Sequence, residues 1–184
     1  MKHDPVQPIA PGPRPYAGVT VVPGSAHGGL LVLREPLSFW GGYDAQAGRI
    51  IEPRHPQFGA ALKGSCLLMA RAKGSSSSSS VLAEAIRNGT GPAAIVMRER
   101  DLIVALGCIV ASELYGIDVP IAVVDEATWQ ALAALPAGTP LRLEAGADLC
   151  RIGAGEACAE APAQTPPQTP PQPPPQPPTG TPFP

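Results

Sequence analysis

The sequence is short of charge, of any excess of basic over acidic residues, of long apolar runs and of cysteines at metal-binding spacings. Charged side chains make up only 15% of the 184 residues, so the chain is not a highly charged disordered one. The formal net charge is −2. That argues against a dedicated binder of nucleic acid or of anionic membranes, whose main affinity term is the pairing of Lys and Arg with phosphate. The longest strongly apolar run, Leu102–Ala111, is too short to span a bilayer, which takes about 20 residues. The opening MKHDPVQPIAPGPRP has no continuous apolar core and too much proline for a signal peptide. The expected compartment is the cytoplasm.

The four cysteines are Cys66, Cys108, Cys150 and Cys158, with gaps of 42, 42 and 8. These match no zinc or iron–sulfur spacing. Cys66 and Cys108 lie inside apolar stretches, which suits buried small hydrophobes. No metal site built by this chain alone is expected.

Proline is unevenly placed. Residues 161–184 hold 12 of the 25 prolines and almost nothing apolar beyond Phe183. The remaining 160 residues suit one domain of ordinary size. We expect an irregular arm over 1–15, one α/β domain over 16–152 and a disordered Pro-rich tail over 153–184. The tail has PxxP spacing, as at Pro167 and Pro170, which favours polyproline II. Within the domain, Val19–Val22 and Leu30–Arg34 read as strands, with Pro23, Gly24, Gly28 and Gly29 marking the turn between them. LSFWGG (37–42) reads as a loop, Arg49–Glu52 as a short strand and Ser65–Ala70 as a buried strand. A helix over Val81–Asn88 with Gly89 as its stop follows from the apolar period. Then come a strand at Ala93–Met97, a helix capped by Asp101 and running to about Leu114, and a strand at Pro120–Val124. A helix at Glu126–Leu135 and a last strand at Leu141–Glu144 complete the pattern. The first half is mostly β and the second alternates β and α, so helices should pack on a mixed sheet.

Three places could carry chemistry. The loudest is Gly74–Ser80, GSSSSSS. By composition it is a flexible linker. By position it joins a strand to an amphipathic helix, where N–H groups, hydroxyls and the positive end of the helix dipole converge on one point. Such a site binds an anionic group and lowers the cost of an alkoxide. A serine there is a base only with strong help, because a hydroxyl otherwise titrates far above neutrality. Arg71 and Lys73 lie just upstream. The second place is Ser38-Phe39-Trp40-Gly41-Gly42. It is either a tight turn with two core aromatics or a ligand wall whose glycines allow close backbone approach. The third is His55 in PRHP, which reads as a surface residue. Gly153-Ala154-Gly155 lacks the βα surroundings of a dinucleotide site and reads as the start of the tail.

Taken together, EPLSFWGG (35–42), AGRIIEPRHPQFG (47–59), GSSSSSS (74–80) and ASELYGIDVP (111–120) resemble the small subunit of the aconitase X family over roughly residues 15–150. The resemblance implies a swivelling β/β/α domain as in the aconitase superfamily. It also implies a heterodimeric hydro-lyase whose large subunit binds an iron–sulfur cluster through its own cysteines. In that superfamily the swivelling domain supplies a Gly-Ser-Ser-Arg loop. Matching the glycine to Gly74 makes Ser75 the catalytic base and Ser76 a substrate ligand. Ser77 stands where the superfamily has Arg, so the carboxylate clamp is lost from this loop, and citrate or isopropylmalate is a poor substrate guess. Ser77, Ser38, Trp40 and Gly41 join Ser76 as implied substrate contacts. The family dehydrates cis-3-hydroxy-L-proline or mevalonate 5-phosphate. The Ala-, Pro- and Arg-biased composition leans toward the first. The competing class is a non-catalytic binding module, with the serine run as spacer and the proline tail recruiting a partner.

Overall fold

The computed structural model describes residues 15–155. Residues 1–14 and 156–184 lie outside the described residues, and with them Cys158 and the PxxP tail. Thirteen elements follow one another: β1 (Tyr16–Val22), β2 (Gly24–Val32), α1 (Phe39–Gly42), β3 (Tyr43–Asp44), β4 (Arg49–Ile50), β5 (Cys66–Met69), α2 (Ser78–Arg87), β6 (Ala94–Met97), α3 (Leu102–Tyr115), β7 (Ile121–Val123), α4 (Glu126–Ala133), β8 (Pro140–Ala145) and β9 (Leu149–Ala154). Seven strands close into a barrel in the order β1-β7-β6-β5-β2-β8-β9, and β3 and β4 form a separate two-stranded sheet. β2, β5, β6 and β7 run parallel to their neighbours in that order. The β1/β7, β1/β9, β2/β8 and β8/β9 pairs are antiparallel. The expected α/β domain is this mixed barrel with helices on its parallel side.

The parallel strands explain themselves. β5 reads CLLM and β6 reads AIVM, and every one of these residues is buried. A strand apolar at every position has both faces covered. Leu67, Met69, Ile95 and Met97 face outward and pack with Leu82, Ala85 and Ile86 of α2 and Val104 and Cys108 of α3. Cys66, Leu68, Ala94 and Val96 face inward, where they meet Leu141, Leu143 and Ile152 with Trp129 and Leu132 of α4. The β5–α2–β6–α3–β7 crossovers thus lay α2 and α3 side by side on the outer face.

Helix ends follow their local chemistry. Asp101 accepts hydrogen bonds from the N–H groups of Ile103 (2.8 Å) and Val104 (3.1 Å). Gly116, at φ 66°, closes the other end of α3 in the left-handed region, where glycine is favoured. α2 begins three residues before the expected start, so Ser78–Ser80 are its first turn. No helix among the described residues is long and apolar enough to cross a membrane.

Three expectations are corrected. Gly28 and Gly29 are not a turn; they sit inside β2, opposite Leu141 and Pro140 of β8. A side chain at Gly28 would start 2.2 Å from the carbonyl oxygen of Gly64, so glycine serves close backbone approach there. Gly153 and Ala154 do not start the tail. They end β9, which pairs with β1 and β8, so the folded unit runs past residue 152. His55 is buried rather than on the surface.

Two outcomes follow. Asp101→Ala removes both cap bonds and should lower unfolding free energy by about 1 kcal/mol, read from urea denaturation. Burial pushes the thiols of Cys66 and Cys108 up to about 12. The thiolate is the nucleophile, so mass spectrometry after iodoacetamide treatment at mildly alkaline pH should find both unmodified in the native protein and both alkylated in denaturant.

Candidate active site

The serine run is no slack linker. Residues 70–77 carry the chain from the end of β5 to the start of α2, and they are tied down on the way. Lys73 donates its backbone N–H to the Leu37 carbonyl (3.2 Å), and its Nζ pairs with Glu52 Oε1 at 2.6 Å. Gly74 has φ 106°, a conformation that side chains oppose. A Cβ there would stand 2.3 Å from Ser38 Oγ and 3.5 Å from Ser78 Oγ. Gly74 therefore fills the gap between the two loops singled out from the sequence.

The partner loop is α1, a single distorted turn. Trp40 (φ −73°, ψ 116°) and Gly41 (φ 73°, ψ −8°) have the central angles of a type II β-turn, which needs glycine at the second central place. Ser38 Oγ donates to the Trp40 carbonyl at 2.7 Å. Trp40 donates its backbone N–H to Ser78 Oγ at 3.2 Å. Ser78 is buried at the first position of α2. One hydroxyl thus fastens the α1 turn to the α2 N-terminus. Of the two aromatics, Phe39 belongs to the core, edge-on to Tyr43 at 5.9 Å. Trp40 is exposed, so the core explanation holds for only one of the pair.

Ser75, Ser76 and Ser77 follow Gly74 on the exposed surface. Their carbonyls enter the first turn: Ser75 O accepts from Ser78 N (3.0 Å) and Ser76 O from Ser79 N (3.1 Å). Ser76 O also accepts from Ser79 Oγ at 2.7 Å. Ser77 occupies the N-cap position without a side-chain cap bond. Among the described residues, the N–H groups and hydroxyls of Ser75–Ser77 have no partner. They present donors at the positive end of a ten-residue helix. Such an end attracts a carboxylate or a phosphate.

The structure brings Ser38, Trp40 and Gly41 against Gly74, with Ser75, Ser76 and Ser77 immediately beyond. The sequence reading missed Ser78 and Glu52. Nothing in a run of six serines marks the fourth hydroxyl group as the buried one, and Glu52 is a lone carboxylate until the fold sets it beside Lys73. His55 stands apart. Its Nδ1 accepts from Gln57 N (3.1 Å), so Nε2 carries the proton toward the Glu35 carbonyl at 3.2 Å. Both nitrogens hold loop backbone, and the ring is a brace.

The described residues do not fit an iron–sulfur cluster. No group of three or more His, Cys, Asp or Glu among them could hold a metal ion. Cys108 lies in the outer core, and Cys66 and Cys150 in the inner one. Burial raises the Cys150 thiol to about 11, and Cys66 and Cys108 higher still, which opposes the thiolate form a cluster needs.

Comparison with known proteins identifies the family of the fold. The Aconitase X swivel domain profile matches residues 15–152. A cis-3-hydroxy-L-proline dehydratase from Pseudomonas aeruginosa is 48% identical over 117 residues, 64% of this chain and 20% of that one. A phosphomevalonate dehydratase small subunit from Pyrococcus furiosus is 43% identical over 94 residues, 51% of this chain and 70% of that one. The matched region is thus about a fifth of the first relative's length. The crystal structure of holo-form aconitase X from Thermococcus kodakaraensis superposes with a TM-score of 0.64 at 30% identity, covering 77% of this chain and 98% of that one. With the profile spanning nearly all of the folded unit, and the barrel matching a solved member, the chain belongs to the aconitase X swivel-domain family.

Proposed function

We propose that this chain is the small subunit of a two-chain cytoplasmic dehydratase of the aconitase X type, with Ser75 as the base that starts the elimination of water. The observation that carries this reading is Gly74, wedged between Ser38 and Ser78, which fixes where the following serine leaves the loop. In the elimination, a Ser75 alkoxide takes the proton from the carbon next to the substrate carboxylate. The electron pair of that C–H bond becomes the C=C bond, and the neighbouring C–O bond breaks, its electrons leaving with the hydroxyl, which gains a proton to depart as water. The α2 N-terminus lowers the cost of the alkoxide. Ser76 and Ser77 donate hydrogen bonds to substrate oxygens, and Ser38, Trp40 and Gly41 form the facing wall. The cluster that the family implies, a Lewis acid for the leaving hydroxyl when bound, belongs to the large subunit, since the cysteines here do not suit it.

The substrate we favour is cis-3-hydroxy-L-proline. The support is the 48% identity to a dehydratase named for it. Mevalonate 5-phosphate is the second reading. It is favoured by a different fact: the archaeal relatives are themselves small subunits, of whose length this chain spans about two thirds or more. The same helix end would receive its phosphate.

Two experiments test this. The chain co-expressed anaerobically with its large subunit should turn over one of the two substrates. Ser75→Ala should leave assembly intact and cut turnover about 10²–10⁴-fold, the usual worth of a positioned base. Near-normal turnover in that variant would sink the assignment of Ser75, and stable function without any large subunit would favour the non-catalytic binding module. Gly74→Ala should cost about 1–3 kcal/mol in stability through its backbone conformation and its clash with Ser38, measured by chemical denaturation. An unchanged midpoint would mean that the two loops are not held by this contact.

A further inference from the structure

α3 has the wrong composition for a helix that ends at solvent. Glu113 is the one charged side chain between Leu102 and Tyr115, and a helix apolar all round is normally buried all round. Its inner side is buried, through Val104, Ala105, Gly107, Cys108 and Ala111. The opposite side is not. Leu102, Leu106 and Ile109 are 71%, 50% and 45% exposed. Their spacing of four and three sets them in one line along the helix.

That line reaches the serine loop. α2 and α3 run the same way. Gly107 packs at Ser79, where a Cβ would be 2.8 Å from the Ser79 carbonyl oxygen. At the far ends, the Arg87 guanidinium lies over the Tyr115 ring at 5.9 Å. Leu102 is five residues before Gly107, and Ser78 one before Ser79. At 1.5 Å per residue, α3 overhangs the α2 N-terminus by about 6 Å. The overhang lies at the end of the sheet where Ser75 emerges. Trp40, 61% exposed, is fastened to the same α2 terminus through Ser78.

Resting on the reading of this chain as a small subunit, we infer that Leu102, Leu106 and Ile109 form the face on which the large subunit docks, with an apolar patch of its own. The occupant is argued from three observations. The line starts at the α3 N-terminus, at the same end of the parallel helix pair as the α2 N-terminus that carries the serine loop. It bears no Lys or Arg, so its complement is apolar rather than acidic. In the Pseudomonas aeruginosa relative the matched region makes up 20% of the chain, so four fifths of that protein lies outside this domain and needs a face to meet it.

The test uses the full chain and its co-expressed large subunit. Leu102→Lys with Leu106→Lys should leave the thermal unfolding midpoint nearly unchanged, since both side chains are exposed, and should weaken the complex by about a hundredfold or more, as expected for losing two buried leucines. Leu149→Lys, on an exposed leucine of β9, should bind like wild type. Equal affinity of the double variant and wild type would overturn the docking face and leave the dehydratase reading standing. A complex that forms and is weakened as expected but turns over neither substrate would do the reverse. A wild-type chain that binds no large subunit would overturn both. A wild-type dimer of this chain, split by the double substitution, would overturn the inference in favour of a second copy.

Discussion

Everything distinctive about this domain's surface depends on one absence, the missing side chain at Gly74. Two loops whose contacting residues, Ser38 and Gly74, are 36 apart in sequence meet there with no room between them. Because Gly74 holds a left-handed conformation against Ser38, the next residues turn directly into α2 instead of wandering. Because Ser78 Oγ accepts the Trp40 N–H, the α1 turn is fixed to the same helix end. A run of six serines would otherwise be among the most mobile segments a chain can have. Here its entry is pinned by packing and its exit by helix formation, and three hydroxyls are displayed between the pins.

The position of those hydroxyls is in turn set by the barrel. β5 and β6 must be covered on both faces, since they are apolar at every place. Covering the outer face is the work of α2 and α3, whose register is locked by Gly107 at Ser79. The α2 N-terminus therefore cannot slide without opening the outer core at Leu82 and Ile86. An anion-attracting helix end is common in α/β folds. What is particular here is that core packing, the close approach of Gly74 to Ser38 and the Trp40–Ser78 hydrogen bond together hold it in register with the α1 turn.

How much of this could be read in the sequence depends on the kind of force at work. Short-range chemistry was legible. Asp101 caps α3, Gly116 stops it, and the apolar runs at 66–69 and 94–97 are buried strands. Long-range contact was not. Gly28 looked like a turn because glycine is ambiguous between left-handed backbone and close approach, and only the fold reveals Gly64 beside it. β9 does alternate, with Cys150 and Ile152 buried and Leu149 and Arg151 exposed, yet Gly153 next to the proline-rich segment masked it. His55 was misplaced because its partners, Glu35 and Gln57, are backbone groups that no composition reports. In the site, the loops were legible as motifs, but their contact through Gly74 and Ser78 was not. Ser75, Ser76 and Ser77 sit where a ligand could reach them, and that placement leaves their roles to be tested by turnover.

A serine is a poor base, and that weakness sets what its surroundings must provide. An alkoxide in open water is far too costly at neutral pH, and an exposed helix terminus in a high-dielectric surrounding offers only modest relief. The described loop has hydroxyls and free N–H groups, its one ammonium group being paired with Glu52, and it faces solvent. The same donors become far stronger when water is excluded, because electrostatic attraction grows as the effective dielectric falls. The chemistry proposed for Ser75 therefore requires a second wall that closes over it. An apolar margin beside the loop, formed by Leu102, Leu106 and Trp40, is what such a wall would need in order to seal. On this view the greasy outer face of α3 and the serine run are two parts of one device, the first excluding the water that would make the second inert.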